Sequence, residues 1–191
     1  MTGHEDLPAA ARTRRLEERL IAAGLTSDEE IDEFLTRLYT RAFPVNGARM
    51  AARAWTDPAY RELLLADGNA AAAQAGFDGL GYLLRVVANT HQTHNVIVCT
   101  LCSCYPVSLL GPSPSWYKSF AYRSRTVREP RAVLAEFGVT LPEDVRISVW
   151  DSTSEARYMV LPVRPAGTDG LDAGDLAALV TRNGLVGTAL V

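Results

Sequence analysis

The three cysteines of this 191-residue chain, Cys99, Cys102 and Cys104, fall within a single short loop. Disulfides that hold a fold together need cysteines in pairs and usually join distant parts of a chain. Free thiols concentrated in one place are instead typical of metal binding or thiol chemistry. We therefore expect this loop to carry the chemistry and the rest of the chain to position it.

Several familiar kinds of cysteine site fit this cluster incompletely. Three core cysteines are one possibility, but the spacing does not place all three thiols on one face of a helix or strand. A structural zinc site needs a fourth ligand, which His91 or His94 could supply. An iron–sulfur cluster also expects four thiolates, and a dithiol redox motif leaves one cysteine without a role.

Backbone nitrogens offer a further set of ligands. The amides of Ser103 and Cys104 lie between and beside the thiols of Cys102 and Cys104, so short chelate rings close if a metal displaces the amide protons. With Cys99 this gives three sulfurs, two nitrogens and one open position. Such strong donors suit a trivalent, low-spin iron or cobalt ion rather than zinc. The open position is what a Lewis-acid catalyst requires.

The loop sequence VCTLCSCYP, residues 98–106, resembles the metal-binding loop of nitrile hydratase alpha subunits. The resemblance continues through residues 46–49 (NGAR), 54–58 (AWTDP), 116–118 (WYK), 122–125 (YRSR), 128–131 (REPR), 149–152 (VWDS) and 164–168 (RPAGT). It covers nearly all of the chain beyond the first helix. It implies a subunit of an enzyme that hydrates nitriles to amides.

The resemblance also implies the metal and its ligands. A threonine after the first cysteine, here Thr100, goes with cobalt in this family, which implies one Co(III) per chain rather than iron. The implied ligands are Cys99, Cys102, Ser103 and Cys104, with Cys102 oxidised to a sulfinate and Cys104 to a sulfenate. Cys104, Cys102 and Ser103 are the implied catalytic residues. Whether a metal-activated water or the Cys104 sulfenate attacks the nitrile stays open.

Five further residues are implied to surround these ligands. Two belong to the loop and three match the family pattern Trp-Asp…Glu-x-Arg-Tyr; they are Thr100, Tyr105, Asp151, Glu155 and Arg157. Local packing is an equal explanation for the two loop residues, and a surface salt bridge for the other three.

The chain departs from the family at the expected substrate pocket. Val107 and Ser108 stand where members usually carry Trp-Pro, and Leu80 and Tyr82 replace a glutamine and a glutamate. Removing a large ring from the wall enlarges the pocket. We therefore expect a bulky nitrile, aromatic or heterocyclic, as the substrate.

The resemblance implies two protein partners. One or more beta subunits would complete the active site and supply arginines to the cysteine oxyanions, and a metallochaperone or activator protein would load the metal. The gamma subunit of thiocyanate hydrolase shares the loop and is the main alternative, although thiocyanate is too small to need a widened wall. A non-catalytic metal-binding or redox-sensing module is a second alternative.

Composition excludes other classes of function. The net charge is −3, and arginines are interleaved with acidic and apolar residues, which argues against nucleic-acid binding. No apolar run approaches the length of a membrane span, and the polar, acidic N-terminus does not resemble a signal peptide. We therefore expect a cytoplasmic protein without membrane contact.

Local patterns predict helices in the first part of the chain. Apolar residues at helical spacing predict a helix over 8–23, and Ser27 with Glu30 forms a capping box for a second helix that ends near Pro44. Three short helices are predicted over residues 48–55, 58–66 and 69–75.

The remaining chain mixes strands and helices. Strands are predicted over residues 82–88, 96–98, 145–149 and 158–162, the last two adjacent to each other, with a final strand over 186–191. Residues 106–114 are predicted to form an exposed, rigid connection. Helices are predicted over 131–137 and from Asp172 to about Thr181, the second ended by Asn183-Gly184.

The order of elements indicates an α+β fold. We expect an N-terminal helical arm, residues 1–44, followed by a layered α-β-β-α catalytic domain that binds the metal, residues 45–191. The arm has an apolar stripe that could pack on its own domain or on another subunit.

Overall fold

A computed structural model describes residues 8–41, 43–77 and 79–191. The chain divides into two compact units, Met1–Arg41 and Ala42–Val191. In the first unit, α1 spans Ala9–Ala22 and α2 spans Asp28–Arg41. The predicted capping box is confirmed, because the Glu30 amide donates to Ser27 Oγ at 3.2 Å and the Ser27 amide donates to Glu30 Oε2 at 3.1 Å.

The second unit begins with three helices, as predicted: α3 (Pro44–Thr56), α4 (Pro58–Ala66) and α5 (Gly68–Gln74). Aspartate side chains fix the starts of the second and third of these helices. Asp57 caps α4 through the Tyr60 amide, and Asp67 caps α5 through the Ala70 amide.

Within the described residues, four strands form two small parallel sheets. In one sheet β1 (Leu83–Ala88) pairs with β4 (Ala156–Leu161), and in the other β2 (Thr93–Val98) pairs with β3 (Arg146–Asp151). The predicted adjacency of the third and fourth strands is therefore wrong. Each pairs with an earlier strand instead, because strand patterning records which residues are buried and not which neighbour completes the hydrogen bonds. Helices with these sheets confirm the α+β class.

The connection after the cysteine loop is not exposed throughout. It contains α6 (Val107–Leu110), in which Leu109 and Leu110 are fully buried, followed by a 3₁₀ turn over Ser115–Lys118. The prediction of an exposed connection is thus wrong, because two leucines outweigh the surrounding Gly, Pro and Ser residues. Two more helices follow, α7 (Phe120–Thr126) and α8 (Pro130–Glu136).

The predicted last strand over residues 186–191 is wrong, because Val186 ends a short helix and residues 187–191 form turns and irregular backbone. Asp172 caps α9 (Ala173–Leu179) as predicted. Asn183-Gly184 does not end a helix but lies inside α10 (Arg182–Val186), because the Thr181 side chain accepts from the Gly184 amide and starts a new helix there. Gly187 ends α10 with φ +91°, and a β-carbon on it would lie 2.0 Å from the Asn95 carbonyl oxygen, so only glycine fits.

The core lies between the first three helices of this unit and the strands. Its fully buried side chains include Met50, Tyr60, Leu64, Leu84, Ile97, Met159 and Leu161. This packing fixes the strands, and the parallel register of β2 and β3 places Val98 opposite Asp151. The residues that follow β2, beginning with Cys99, therefore leave the sheet beside the end of β3.

None of the helices within the described ranges combines the length and apolar character needed to cross a bilayer.

Candidate metal centre

The three thiols converge at the carboxyl end of β2. The sulfurs of Cys99 and Cys102 are 3.5 Å apart, those of Cys102 and Cys104 are 3.0 Å apart, and all three lie within 4.8 Å of one another. Cys99 and Cys104 are buried, whereas Cys102 is exposed. The loop therefore presents its sulfurs together, with one side open.

This arrangement fits a metal ion bound by adjacent thiolates. With a metal–sulfur distance of about 2.3 Å, neighbouring sulfurs at right angles lie about 3.3 Å apart. The two shorter sulfur–sulfur distances, 3.0 Å and 3.5 Å, bracket that value. In the described part of the chain, no other cluster of three or more metal-ligating side chains occurs.

The pKa values of Cys102 and Cys104 are shifted in opposite directions. Hydrogen bonds with Cys104 and then Cys99 lower the pKa of Cys102 to about 7. Burial, followed by the hydrogen bond with Cys102, raises the pKa of Cys104 to about 11, although Arg157 acts in the opposite direction. Cys102 thus ionises before Cys104, in keeping with its exposed position.

Asp151 holds the beginning of the loop. Its Oδ1 accepts from the Thr100 amide at 2.9 Å, and its Oδ2 accepts from the Thr100 hydroxyl at 2.5 Å. Both bonds follow from the register that places Asp151 opposite Val98. The structure therefore brings two of the predicted surrounding residues into one contact.

Arg123, on α7, holds the same loop from a second direction. Its Nε donates to the Cys99 carbonyl at 3.1 Å, and its Nη2 donates to the carbonyls of Thr100 and Leu101 at 2.8 Å and 2.7 Å. Sequence reasoning assigned no role to Arg123. The only signal was its place in the matched segment 122–125, because a contact across 22 residues of chain leaves no local pattern.

Buried tyrosines support the two ends of the loop. The Tyr117 hydroxyl donates to the Cys104 carbonyl at 2.8 Å, and the Tyr122 hydroxyl donates to the Ile97 carbonyl at 2.6 Å. Tyr105 packs edge-on against Tyr117 with ring centroids 5.0 Å apart, and burial raises the pKa of the Tyr105 hydroxyl. Tyr105 therefore packs on the tyrosine that holds the Cys104 carbonyl.

Arg157 connects the thiols with the expected pocket wall. Its positive charge favours the ionised form of the Cys104 thiol and so acts to lower the pKa of that thiol, and its Nη1 donates to the Thr153 carbonyl. Its guanidinium stands 5.6 Å from the centre of the Tyr82 ring. The Tyr82 hydroxyl in turn faces the Ser108 side chain without forming a hydrogen bond of normal geometry.

The other predicted site residues are placed less directly. Val107 begins α6 three residues after Cys104 and is half-buried, like Ser108, whose carbonyl accepts from Asn46 Nδ2 at 3.0 Å. Leu80 is half-buried against the main core. Glu155 is exposed, and its described hydrogen bonds are backbone contacts with neighbouring strand and turn residues, Leu83 and Thr153, rather than with the loop.

Neither histidine can complete a zinc site with these thiols. His94 is buried within β2, where Nε2–H donates to the Gly187 carbonyl at 2.7 Å and Nδ1 accepts from Asn89 Nδ2 at 3.3 Å. His91 is exposed and precedes β2, whereas Cys99 follows it. A six-residue strand spans about 20 Å, so the two positions lie at opposite ends.

Fold and site together define a class of protein: an α+β subunit that gathers three thiols at the end of a strand to hold a metal ion. A family model described as "Nitrile hydratase, alpha chain" matches residues 8–189. The chain belongs to that family.

Individual relatives agree with this assignment. The alpha subunit of the low-molecular-weight cobalt-containing nitrile hydratase of Rhodococcus rhodochrous is 47% identical over 182 residues, which cover 95% of this chain and 88% of the relative. The alpha subunit of the cobalt-containing nitrile hydratase of Pseudonocardia thermophila is 48% identical over 179 residues, covering 93% and 88%.

Solved structures share the fold. A double mutant of the Fe-type nitrile hydratase from Comamonas testosteroni Ni1 superposes with a TM-score of 0.87 at 39% identity, covering 96% of this chain and 92% of that chain. A recombinant thiocyanate hydrolase with partially modified cobalt centres gives 0.89 at 42% identity, covering 97% and 90%. The fold is therefore common to members with different metals and substrates.

Proposed function

We propose that this chain is the metal-bearing alpha subunit of a nitrile hydratase, a lyase that adds water to a nitrile and releases the amide. The observation that carries the proposal is the convergence of Cys99, Cys102 and Cys104 within 4.8 Å, inside a chain that the family model matches over residues 8–189. We assign the activity to the metal-binding domain predicted over residues 45–191.

The cofactor we propose is cobalt(III), one ion per chain. Thr100 follows the first cysteine, and two relatives with 47% and 48% identity are named as cobalt-containing. The three thiolates with the amide nitrogens of Ser103 and Cys104 would hold the ion, which when bound supplies a Lewis acid for the nitrile.

The loop residues then have separate tasks. As a sulfenate, Cys104 would bond its oxygen to the nitrile carbon, and water would then restore the sulfenate and release the amide; alternatively, a water molecule attacks the carbon and Cys104 accepts its proton. Cys102 would be held as a sulfinate. Arg157 beside Cys104 supplies a positive charge from within the chain for the oxygen there. Asp151 and Arg123 hold the loop backbone so that both sulfurs keep their positions.

Two protein partners complete the proposal. A beta subunit covers the open side of the loop, in keeping with the relatives, which are named as subunits. An activator protein loads the metal, because binding must displace protons from thiols and amides.

The substrate we propose is a bulky aromatic or heterocyclic nitrile. Val107, Ser108 and Leu80 would form the widened wall. Support comes from the half-buried state of all three and from the contact of Tyr82 with both Ser108 and Arg157, which joins the wall to Cys104.

Thiocyanate hydrolysis is the second candidate activity. The gamma subunit of the Thiobacillus thioparus thiocyanate hydrolase is 44% identical over 185 residues, so the fold itself does not separate the two reactions. The widened pocket favours a nitrile as the substrate, because thiocyanate is too small to fill it.

One preparation tests the proposal. The chain is co-expressed with its beta subunit and activator, and metal content, intact mass and turnover of acrylonitrile, toyocamycin and thiocyanate are measured. Toyocamycin is a nitrile-bearing nucleoside. We expect one cobalt per chain, three added oxygen atoms and hydration with a preference for the nucleoside.

Zinc on unmodified thiols would contradict the catalytic proposal and favour a metal-binding or redox-sensing module. Turnover of thiocyanate alone would replace the nitrile with the second candidate. A strong preference for acrylonitrile would support nitrile hydration but contradict the proposal of a bulky substrate.

A further inference from the structure

We propose that Arg123 is a positioning residue that tunes the Cys99 sulfur through the peptide bond between Leu101 and Cys102. The inference rests on the proposed function, since it concerns the same metal loop. It assigns to α7 a role in setting the donor strength of one sulfur, beyond holding the loop in place.

Two successive hydrogen bonds link Arg123 to the Cys99 sulfur. Arg123 Nη2 donates to the Leu101 carbonyl at 2.7 Å, and the amide of the same peptide unit, that of Cys102, donates to Cys99 Sγ at 3.2 Å. A cation on the oxygen of a peptide group withdraws charge from its nitrogen and makes the N–H a stronger donor. The positive charge of Arg123 therefore strengthens the hydrogen bond that the Cys99 sulfur accepts.

The geometry of the guanidinium suits this task. Arg123 spans three successive carbonyls, those of Cys99, Thr100 and Leu101, which suits a planar group with several fixed donors better than a compact, freely rotating ammonium. α7 itself is anchored on β2, because Tyr122, the preceding residue, donates to the Ile97 carbonyl at 2.6 Å. The charge is thus held at a fixed place relative to Cys99.

The chemical consequence concerns the bond from sulfur to metal. A hydrogen bond to a thiolate lowers the energy of its lone pairs and makes it a weaker donor, which is how contacts to sulfur tune metal sites. Without Arg123, Cys99 becomes the stronger donor. The sulfur-to-cobalt charge-transfer absorption should then move to lower energy.

Three variants test the proposal in the complete complex with its beta subunit: Arg123→Gln, Arg123→Lys and, as a control, Arg128→Gln. Arg128 also donates to a carbonyl, that of Ser124 in α7 at 3.0 Å. It is exposed, and this hydrogen bond does not involve the metal loop. Cobalt content, the charge-transfer spectrum and kcat are measured for each.

Arg123→Gln should move the absorption to lower energy per bound cobalt and reduce kcat by about 10- to 100-fold, the range for residues that support metal ligands. Arg123→Lys should show a smaller shift of this absorption, because lysine keeps the positive charge but lacks the planar guanidinium with its fixed donors. Arg128→Gln should match the parent spectrum. A parent-like spectrum in cobalt-loaded Arg123→Gln overturns the proposal.

If Arg123→Gln retains no cobalt, the spectrum of Arg123→Lys decides, with a displaced band in support and an unchanged band against. If the parent complex binds cobalt and hydrates nitriles but the variants keep the parent spectrum, only this inference is contradicted. A parent complex without cobalt defeats the proposed function as well.

Discussion

Thr100 and Asp151 are joined by two hydrogen bonds, from the Thr100 amide at 2.9 Å and from its hydroxyl at 2.5 Å. The two residues are far apart in sequence and meet only because β2 and β3 run parallel, with Val98 opposite Asp151. The carboxylate thus fixes the first residue after Cys99. The threonine from which the sequence resemblance implies cobalt thereby acquires a structural partner.

Replacing Asp151 by alanine should impair cobalt retention more than stability. Both bonds are exposed, so we expect a loss of only about 1 kcal/mol in unfolding free energy but a loss of about tenfold in metal affinity, because the loop loses its anchor. Thermal unfolding and cobalt retained after dialysis against a chelator measure the two effects. Asp144→Ala, at an exposed position before β3, is the control and should retain cobalt; equal losses in the two variants would contradict this explanation.

Replacing Arg157 by methionine should hinder oxidation of Cys104. The methionine keeps an apolar side chain of similar length but removes the charge beside the thiol, so an oxygen on Cys104 loses a partner from its own chain. Intact mass of the co-expressed complex should show a population lacking one oxygen. Arg146→Met, an exposed position on β3, serves as the control, and full oxidation in Arg157→Met would show that oxidation of Cys104 does not depend on this charge.

His94 should make the fold sensitive to acid. Burial lowers its pKa from 6.5, although the Gly187 carbonyl acts in the opposite direction. The unfolded chain therefore binds more protons than the folded chain just below pH 6.5, so stability is complete above that value and falls as pH decreases through the folded pKa. Urea unfolding of the chain between about pH 5 and pH 8 should show this decline.

His94→Gln removes the titrating group and should flatten that decline, whatever its effect at neutral pH. His91→Gln replaces an exposed histidine nearby in sequence and should preserve the decline of the parent. An unchanged slope in His94→Gln would assign the acid sensitivity to other groups.

Val107→Trp should turn the substrate preference toward small nitriles. Val107 is half-buried at the start of α6, whose position is fixed by the fully buried Leu109 and Leu110, so a large ring there cannot be accommodated by a shift of the helix. We expect kcat/KM for toyocamycin relative to acrylonitrile to fall about tenfold or more. Val163→Trp, an exposed position away from the loop, should leave the ratio unchanged.

Several features of the fold could be predicted because their causes are local. The capping box of Ser27 and Glu30, the aspartate at the start of α9 and the three short helices each depend on residues a few positions apart. The final helix was missed because Thr181 and Gly187 act together with tertiary contacts, including the close approach of Gly187 to Asn95. No pattern in residues 186–191 records that approach.

The sequence by itself determined the identity of the chemical groups, since Cys99, Cys102 and Cys104 are the only thiols and stand within one loop. Tertiary structure decided what holds them: Asp151 through parallel strand pairing, Arg123 through the placement of α7, and Arg157 beside Cys104. The physical reason is that donors within a loop are set by spacing along the chain. Their supports come from strands and helices whose neighbours are chosen by burial of the whole core.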